Sequence, residues 1–458
     1  MQVVDGLPIN RRSRPSVWGP LLLVATLSSA GGPAATGAAA APPPRVAGVD
    51  VAALETLARR AGLRVVAGER LVLVTDRPAR DGDGIDDLPS IFAAAFATWC
   101  DHLSVDPQTV PDWRAFGCLM TDREPFRAAG LLPVDGTVPE FANGYCDRNR
   151  FWLDDPTNPA YRRHLLLHEG VHAFSITLRG LSAPTWYTEG IAELLATHRL
   201  EEGRFVPTPI PRRAADVEQL GRIEALRRLR TTGFAPGLAD VFATPPSPRH
   251  DIPAYAASWA ATALLAGHPA HADRFRALEA GPLDARLTAR LEGSDGWDGE
   301  RAGRDFDAFT DEVDYGFDFN RSAIDWSPGQ PLAARERIVV RADRGWQSSG
   351  FALSAGARGA FRAAGRCHIG VAGEIDLETE ADGITLRYYR GRPLGRLLVA
   401  QWHLPPEGGR PRFEILAEGR AGRFTAVTDG VLYLKLNEPP GELSDNRGGL
   451  DVEIGPIP

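Results

Sequence analysis

An α+β domain followed by an all-β sandwich is the architecture that three features of this sequence predict. The chain has 458 residues, 43% apolar and 24% charged, more than one module requires at about 100–200 residues per domain. From about residue 45 to 330, helical patterns mix with short buried-strand runs. From about 335 to 458 the texture changes to short strands separated by Gly and Pro turns, the spacing of a two-sheet sandwich. The Pro- and Gly-bearing segment Trp326–Leu332 marks the boundary. A net charge of -8, from 51 basic and 59 acidic residues, gives no electrostatic footprint for nucleic acid.

Residues 1–44 read as an export signal and linker. Arg11, Arg12 and Arg14 precede an apolar run from Val17 to Ser29, with small-residue cleavage positions near Ala30 and Ala38. The run is shorter than the roughly 20 residues of a membrane-spanning helix, and an uncleaved tether is the alternative. Arg11-Arg12 is a weak mark of twin-arginine export. Ala34–Pro44 is a flexible Ala/Gly/Pro connector. The expected location is periplasmic, cell-surface or secreted. Export permits disulfides, and Cys100, Cys118 and Cys146 can supply one pair, with the pairing open.

In the first domain, Leu71–Thr75 (LVLVT) reads as a buried strand, Leu88–Leu103 as a helix and Phe116–Met120 as another strand. Asn143–Leu153 reads as a hairpin-like pair of edge strands. Pro159–Thr177 is the clearest helix: Asn158-Pro159 is a good cap and first-turn pair, and Tyr161, Leu165, His168, His172 and Ile176 fall along one stripe. In the second domain, strands are expected at Arg337–Ala342, Gly383–Tyr389, Leu394–Ala400 and Val431–Leu436.

The long helix carries His168-Glu169-Gly170-Val171-His172. Positions i and i+4 project from one face, so His168 and His172 can present two imidazoles to one metal ion. Glu169, about 100° around the axis, can hold a metal-bound water without ligating. Gly170 costs about 1 kcal/mol relative to Ala in a helix. The alternative is two ordinary histidines on a partly buried face. A catalytic zinc takes three protein ligands and leaves one position for water. Glu189, seventeen residues past His172 in WYTEGIAE, starts a second helical pattern that can fold back against the first. Glu193, one turn later, is suited to accept a hydrogen bond from a ligand histidine's other nitrogen. A solvated acidic face is the alternative for both.

HEGVHAF followed by WYTEGIAE resembles the gluzincin metallopeptidases, more closely the bacterial peptidase-MA-like family. LVLVTDRP, FGCLMTDREPFRAAG, NGYCDRNRFWLDD and Tyr255-Ala256-Ala257-Ser258-Trp259 follow the same order of segments, so the resemblance spans about residues 65–285. It implies an α+β zincin-like metallopeptidase domain, Zn2+ on His168, His172 and Glu189, Glu169 as general base, and a peptide or protein substrate. The mechanism implied is metal-assisted amide hydrolysis. Its oxyanion needs a further donor. Tyr255 is the first candidate and Tyr187 the second, with a core tyrosine the alternative reading.

Near the C-terminus, Leu432, Leu434 and Leu436 alternate before a Pro-Pro-Gly turn and a strand ending in Leu450, Val452 and Ile454. Glu438, Asp445 and Asn446 offer hard oxygen donors between them, suited to calcium if backbone carbonyls join, or simply to a polar turn. Asn437-Glu438-Pro439-Pro440-Gly441 with Asp445-Asn446, and with WQSSG and PLGRL upstream, resembles the PA-I galactophilic lectin family. That resemblance implies a module that binds glycan together with Ca2+ through Glu438, Glu442 (by its carbonyl), Asp445 and Asn446. Glu for Asp and Asp for Asn leave the sugar open.

Two functions follow. One is an exported zinc metallopeptidase with a carbohydrate-binding sandwich. The other is a non-catalytic carbohydrate-binding protein using the peptidase fold as scaffold. The intact set His168, Glu169, His172 and Glu189 favours the enzyme, since a scaffold is free to lose any one of them.

Overall fold

The computed structural model describes residues 46–457 apart from 81, 135, 137, 157, 218–220, 234, 247–251, 374 and 407–408. The export segment and linker expected over 1–44 lie outside the described residues. The first region is built on five strands: β1 (Arg64–Ala67), β2 (Leu71–Thr75), β3 (Ala115–Met120), β4 (Gly144–Asp147) and β5 (Arg150–Asp154), in the order β1-β2-β3-β5-β4. β2, β3 and β5 are parallel, while β1 and β4 run antiparallel at the two ends.

Helices cover both faces, which is why β2 is apolar from Leu71 to Val74 rather than alternating. Leu71 and Leu73 enter one core with Phe92, Trp99, Phe151 and Phe174, while Val72 and Val74 enter another with Phe116, Phe126 and Trp152. The expected hairpin over Asn143–Leu153 forms, but only β4 is an edge. β5 lies between β3 and β4 with Phe151, Trp152 and Leu153 fully buried, because its side chains fill both cores.

Five later helices matter for function, and each is named for the residue it contributes. The histidine helix is Pro159–Arg179, the glutamate helix Thr185–Ala196, the arginine helix Arg222–Thr232, the tyrosine helix Ile252–Gly267 and the acidic helix Gly299–Glu312. The first is capped as its sequence requires, with the Asn158 side chain accepting from the Tyr161 amide at 2.9 Å. Gly170, unfavourable by propensity, is explained by packing: a Cβ there would lie 2.5 Å from Phe92 and 2.7 Å from Trp99. Glycine lets the helix approach Leu88–His102 closely enough to bury its whole first face.

The C-terminal region is largely β. One sheet has five strands, including Leu397–His403 and Gly430–Leu436; the other has six, including Arg358–Ala364 and Arg447–Pro456. Phe361, Val399, Leu432, Leu434, Leu450 and Val452 from both sheets share one apolar core. The strand expected over Leu394–Ala400 divides into Arg392–Leu394 and Leu397–His403, because Gly395 takes a left-handed conformation at φ 75 and turns the chain. All four cysteines are free thiols, so Cys100, Cys118 and Cys146 form no pair.

The two regions have separate cores but meet over a dense seam within one compact unit, Pro42–Pro458. Trp326, at the sequence boundary, packs on Trp402, Phe413 and Tyr433 and donates its indole N–H to Asp305 at 2.7 Å. The acidic helix faces a row of cations. Asp307 takes a two-pronged contact from Arg410 at 2.8 and 2.7 Å, and Glu312 pairs with Arg390 at 2.9 Å and with Lys435. Lys435, the chain's one lysine, is buried on this contact. Removing one partner of a buried pair strands the other charge at a cost of about 3–5 kcal/mol. Glu312→Gln should therefore lower the unfolding free energy by about 3 kcal/mol in urea titration; an unshifted midpoint would show that the seam does not depend on the pair.

Candidate metal centre

The glutamate helix lies antiparallel-fashion across the histidine helix, and the three expected ligands converge. His168 Nε2 and His172 Nε2 stand 3.1 Å apart, and Glu189 Oε2 is 3.3 Å from the first and 3.6 Å from the second. Zinc ligands at about 2.0–2.1 Å in a tetrahedron sit about 3.3 Å from one another. The triangle therefore fits one ion with its open side toward a fourth position. Glu189 is the most exposed of the three, with 17% of its side chain accessible, so solvent reaches the centre from that side.

The electrostatics agree with a cation site. Burial alone would raise the Glu189 carboxyl, but His172 and His168 hold it far below the usual range. Burial alone would lower His168, but Glu189 and Glu193 push it up to about 10. The site thus holds protons where it can hold a metal.

Glu193 takes the supporting place expected for it and does more. One carboxylate oxygen, Oε1, lies 3.2 Å from His168 Nδ1; the other, Oε2, lies 3.2 Å from His164 Nε2. Arg222 donates to both, from Nη2 to Oε1 at 2.7 Å and from Nε to Oε2 at 2.9 Å. Burial acts to raise Glu193, yet Arg222 and His164 keep it well below the carboxylate range. His164 and Arg222 were not foreseen from sequence. His164 had a signal, since it precedes His168 by one helical turn on the same stripe. Arg222 arrives from a distant helix with no local pattern to announce it.

Glu169 is buried beside the triangle, and burial raises its carboxyl against the pull of His172 and His168. A raised carboxyl is better matched to accepting a proton near neutrality. The edge strand β4 passes directly over it. A Cβ at Gly144 would collide with the Glu169 carboxylate, so glycine is required at that position. Tyr255, on the tyrosine helix, has its ring 5.9 Å from that of His168. Burial and the charges of Glu189, Glu169 and Glu193 push its phenol up, so it remains a proton-bearing donor. Tyr187 is not a second candidate. It points away into the core, fully buried, and donates to Glu279 at 3.0 Å because it lies about 200° around its helix from the ligand Glu189.

A further histidine cluster has a different character. His271 Nε2 meets Asp305 at 2.8 Å and His268 Nε2 lies 3.8 Å away from it. The Ala270 amide donates to His268 Nδ1 at 3.2 Å, so the neutral ring keeps its proton on Nε2 and has no lone pair there for a metal. At His168 the polarity is reversed: Nδ1 faces a carboxylate and Nε2 is left to ligate.

The four residues expected around calcium are only partly assembled. Asn446 Nδ2 donates to Glu438 Oε2, and both side chains are buried. Glu442, expected to offer its carbonyl, pairs its carboxylate with Arg387 at 2.6 and 2.5 Å, and Asp445 is exposed where the loop folds onto the first region. There the Asp318 amide donates to Pro440 at 3.4 Å and Gly441 packs on Tyr315. Glu438 Oε1 and Asn446 Oδ1 remain as buried acceptors without a donor.

No protein-family model matches the chain, and no curated relative does. Among solved structures, one described as "EclA N-terminal domain; PllA-like lectin" aligns with 28% of this chain and 98% of its own length, at 18% identity and a TM-score of 0.20. That likeness falls on the largely β C-terminal region, and at so low a score it carries no argument about function.

Metal analysis should find about one zinc per chain, lost in His168→Ala. Because loading must displace the proton that Glu189 and Glu193 stabilise on His168, zinc affinity should rise with pH by about tenfold per unit through neutrality. The rise should end near pH 10, where that ring is already deprotonated. A flat profile in chelator competition would show that no proton on His168 has to be displaced.

Proposed function

We propose that this chain is an exported zinc metallopeptidase with a gluzincin-type centre on a zincin-like domain. The observation that carries the reading is the triangle of His168, His172 and Glu189 with Glu169 packed beside it. When bound, zinc supplies a water of pKa about 7 and a Lewis acid for the scissile carbonyl.

The chain's own residues account for the remaining work. Glu169, buried beside the triangle, takes a proton from the attacking water and returns it to the leaving amine, a role its raised proton affinity suits. Tyr255 donates a hydrogen bond toward the oxygen that develops charge. Glu193 orients His168. β4 ends the sheet with its outer edge unpaired by any described strand, so an extended peptide can add to it as a further strand and pass over Glu169. That edge favours a peptide over other amides as substrate.

For the C-terminal region the reading is a carbohydrate-binding module. Two buried acceptor oxygens on Glu438 and Asn446 without a donor fit a hard cation such as calcium. Without one, burial pushes the Glu438 carboxyl up to about 8 from 4.5. The sign follows: between those values the unfolded chain loses this proton while the folded chain keeps it, so the group's contribution to stability falls as pH rises from 4.5 to about 8. Glu438→Gln should raise the melting temperature at pH 8 in chelator and abolish any gain from added calcium. An identical response to calcium in the variant would remove Glu438 as a ligand.

For catalysis, Glu169→Gln should retain zinc and lose hydrolysis of a mixed peptide library by about 100-fold or more. Gly144→Ala should also retain zinc and lose about 100-fold, since displacing a reacting group by about 1 Å has that effect. Full activity in Glu169→Gln would remove it as base, and no hydrolysis by the zinc-loaded wild type would favour the non-catalytic alternative.

A further inference from the structure

We infer that Arg222 is a positioning residue of the metal centre, fixing the orientation of His168 through Glu193 and bordering Tyr255 at the same time. The inference rests on the zinc reading above and extends it to a residue that touches neither metal nor substrate.

The geometry is specific. A carboxylate offers about four lone-pair sites, two per oxygen. On Glu193, Arg222 takes one on each oxygen, at 2.7 and 2.9 Å, and the remaining contacts are Oε1 at 3.2 Å from His168 Nδ1 and Oε2 at 3.2 Å from His164 Nε2. The planar guanidinium therefore sets the carboxylate plane, and that plane sets where the His168 ring can turn its Nδ1.

The guanidinium has a second neighbour. Its carbon lies 5.3 Å from the centre of the Tyr255 ring, within the range of a cation over an aromatic face. One buried cation thus stands against both the partner of a ligand and the proposed oxyanion donor. It is delivered by the first residue of the arginine helix, which begins directly after Gly221 in a left-handed conformation at φ 58. A residue that merely tied two helices together would not need to reach both groups.

Supporting partners of ligand histidines change metal affinity by about 10–100-fold when altered. Arg222→Lys keeps the charge and loses the fork, so zinc affinity by chelator competition should weaken by about 10–100-fold. Glu193→Gln should weaken it similarly, and the double variant should be no weaker than the worse single one, since both changes break one chain of contacts. The visible bands of the Co2+-loaded Arg222→Lys protein should shift, a change that general loosening of the fold does not produce. Zinc affinity within about twofold of wild type in Arg222→Lys, additive losses in the double variant, or an unchanged Co2+ spectrum would each overturn the proposal. Should Arg222→Lys fail to fold, unchanged zinc affinity in Glu193→Gln overturns it instead. A wild-type chain that binds no zinc overturns the reading beneath, and this inference with it.

Discussion

A carboxylate held without water among three nitrogen-bearing side chains is the constraint around which the first region is arranged. Glu193 is buried, and an unpaired charge there would be untenable. Its compensation draws in His164 and His168 from one helix and Arg222 from another, and His168 in turn faces Glu189 and His172. The apolar layer against β2, β3 and β5 excludes water and strengthens each of these contacts. The same dryness is why the site is sensitive to the loss of any one member.

Much of this was legible in the chain. The long helix announced itself by period and cap, and His168, His172 and Glu189 followed from the spacing of two motifs. Glu193 lies one turn of helix from Glu189, and that spacing is what sets it beside His168. Where sequence reasoning failed, the cause is tertiary. Tyr187 has the right chemistry and the wrong face, and periodicity alone does not say which face meets the histidine helix. β5 was read as an edge because its neighbour is, and only the parallel pairing with β3 places it inside. Arg222 has no local signature, since a buried arginine is defined by what surrounds it.

The C-terminal loop shows a different limit. Its donors were read by type, as oxygens suited to a hard cation. What the pattern could not contain was the first region folding against the loop, with Tyr315 on Gly441 and Asp318 on Pro440. That contact leaves Glu438 and Asn446 inside and turns Glu442 toward Arg387. Four residues adjacent in sequence thus occupy three environments.

The arginine helix has consequences at both of its ends. Arg222 begins it at Glu193, and Arg230, two turns on, reaches Asp311 at 3.0 Å and the Pro411 carbonyl in the C-terminal region at 2.7 Å. A helix transmits displacement along its axis with little give, and eight residues amount to about 12 Å of rod. The β region and the metal centre therefore share a strut. Whatever displaces one end is felt at the other as tilt. Exchanging the C-terminal region for another module would take away the carbonyl that Arg230 meets at Pro411 and so leave that end of the helix without that anchor.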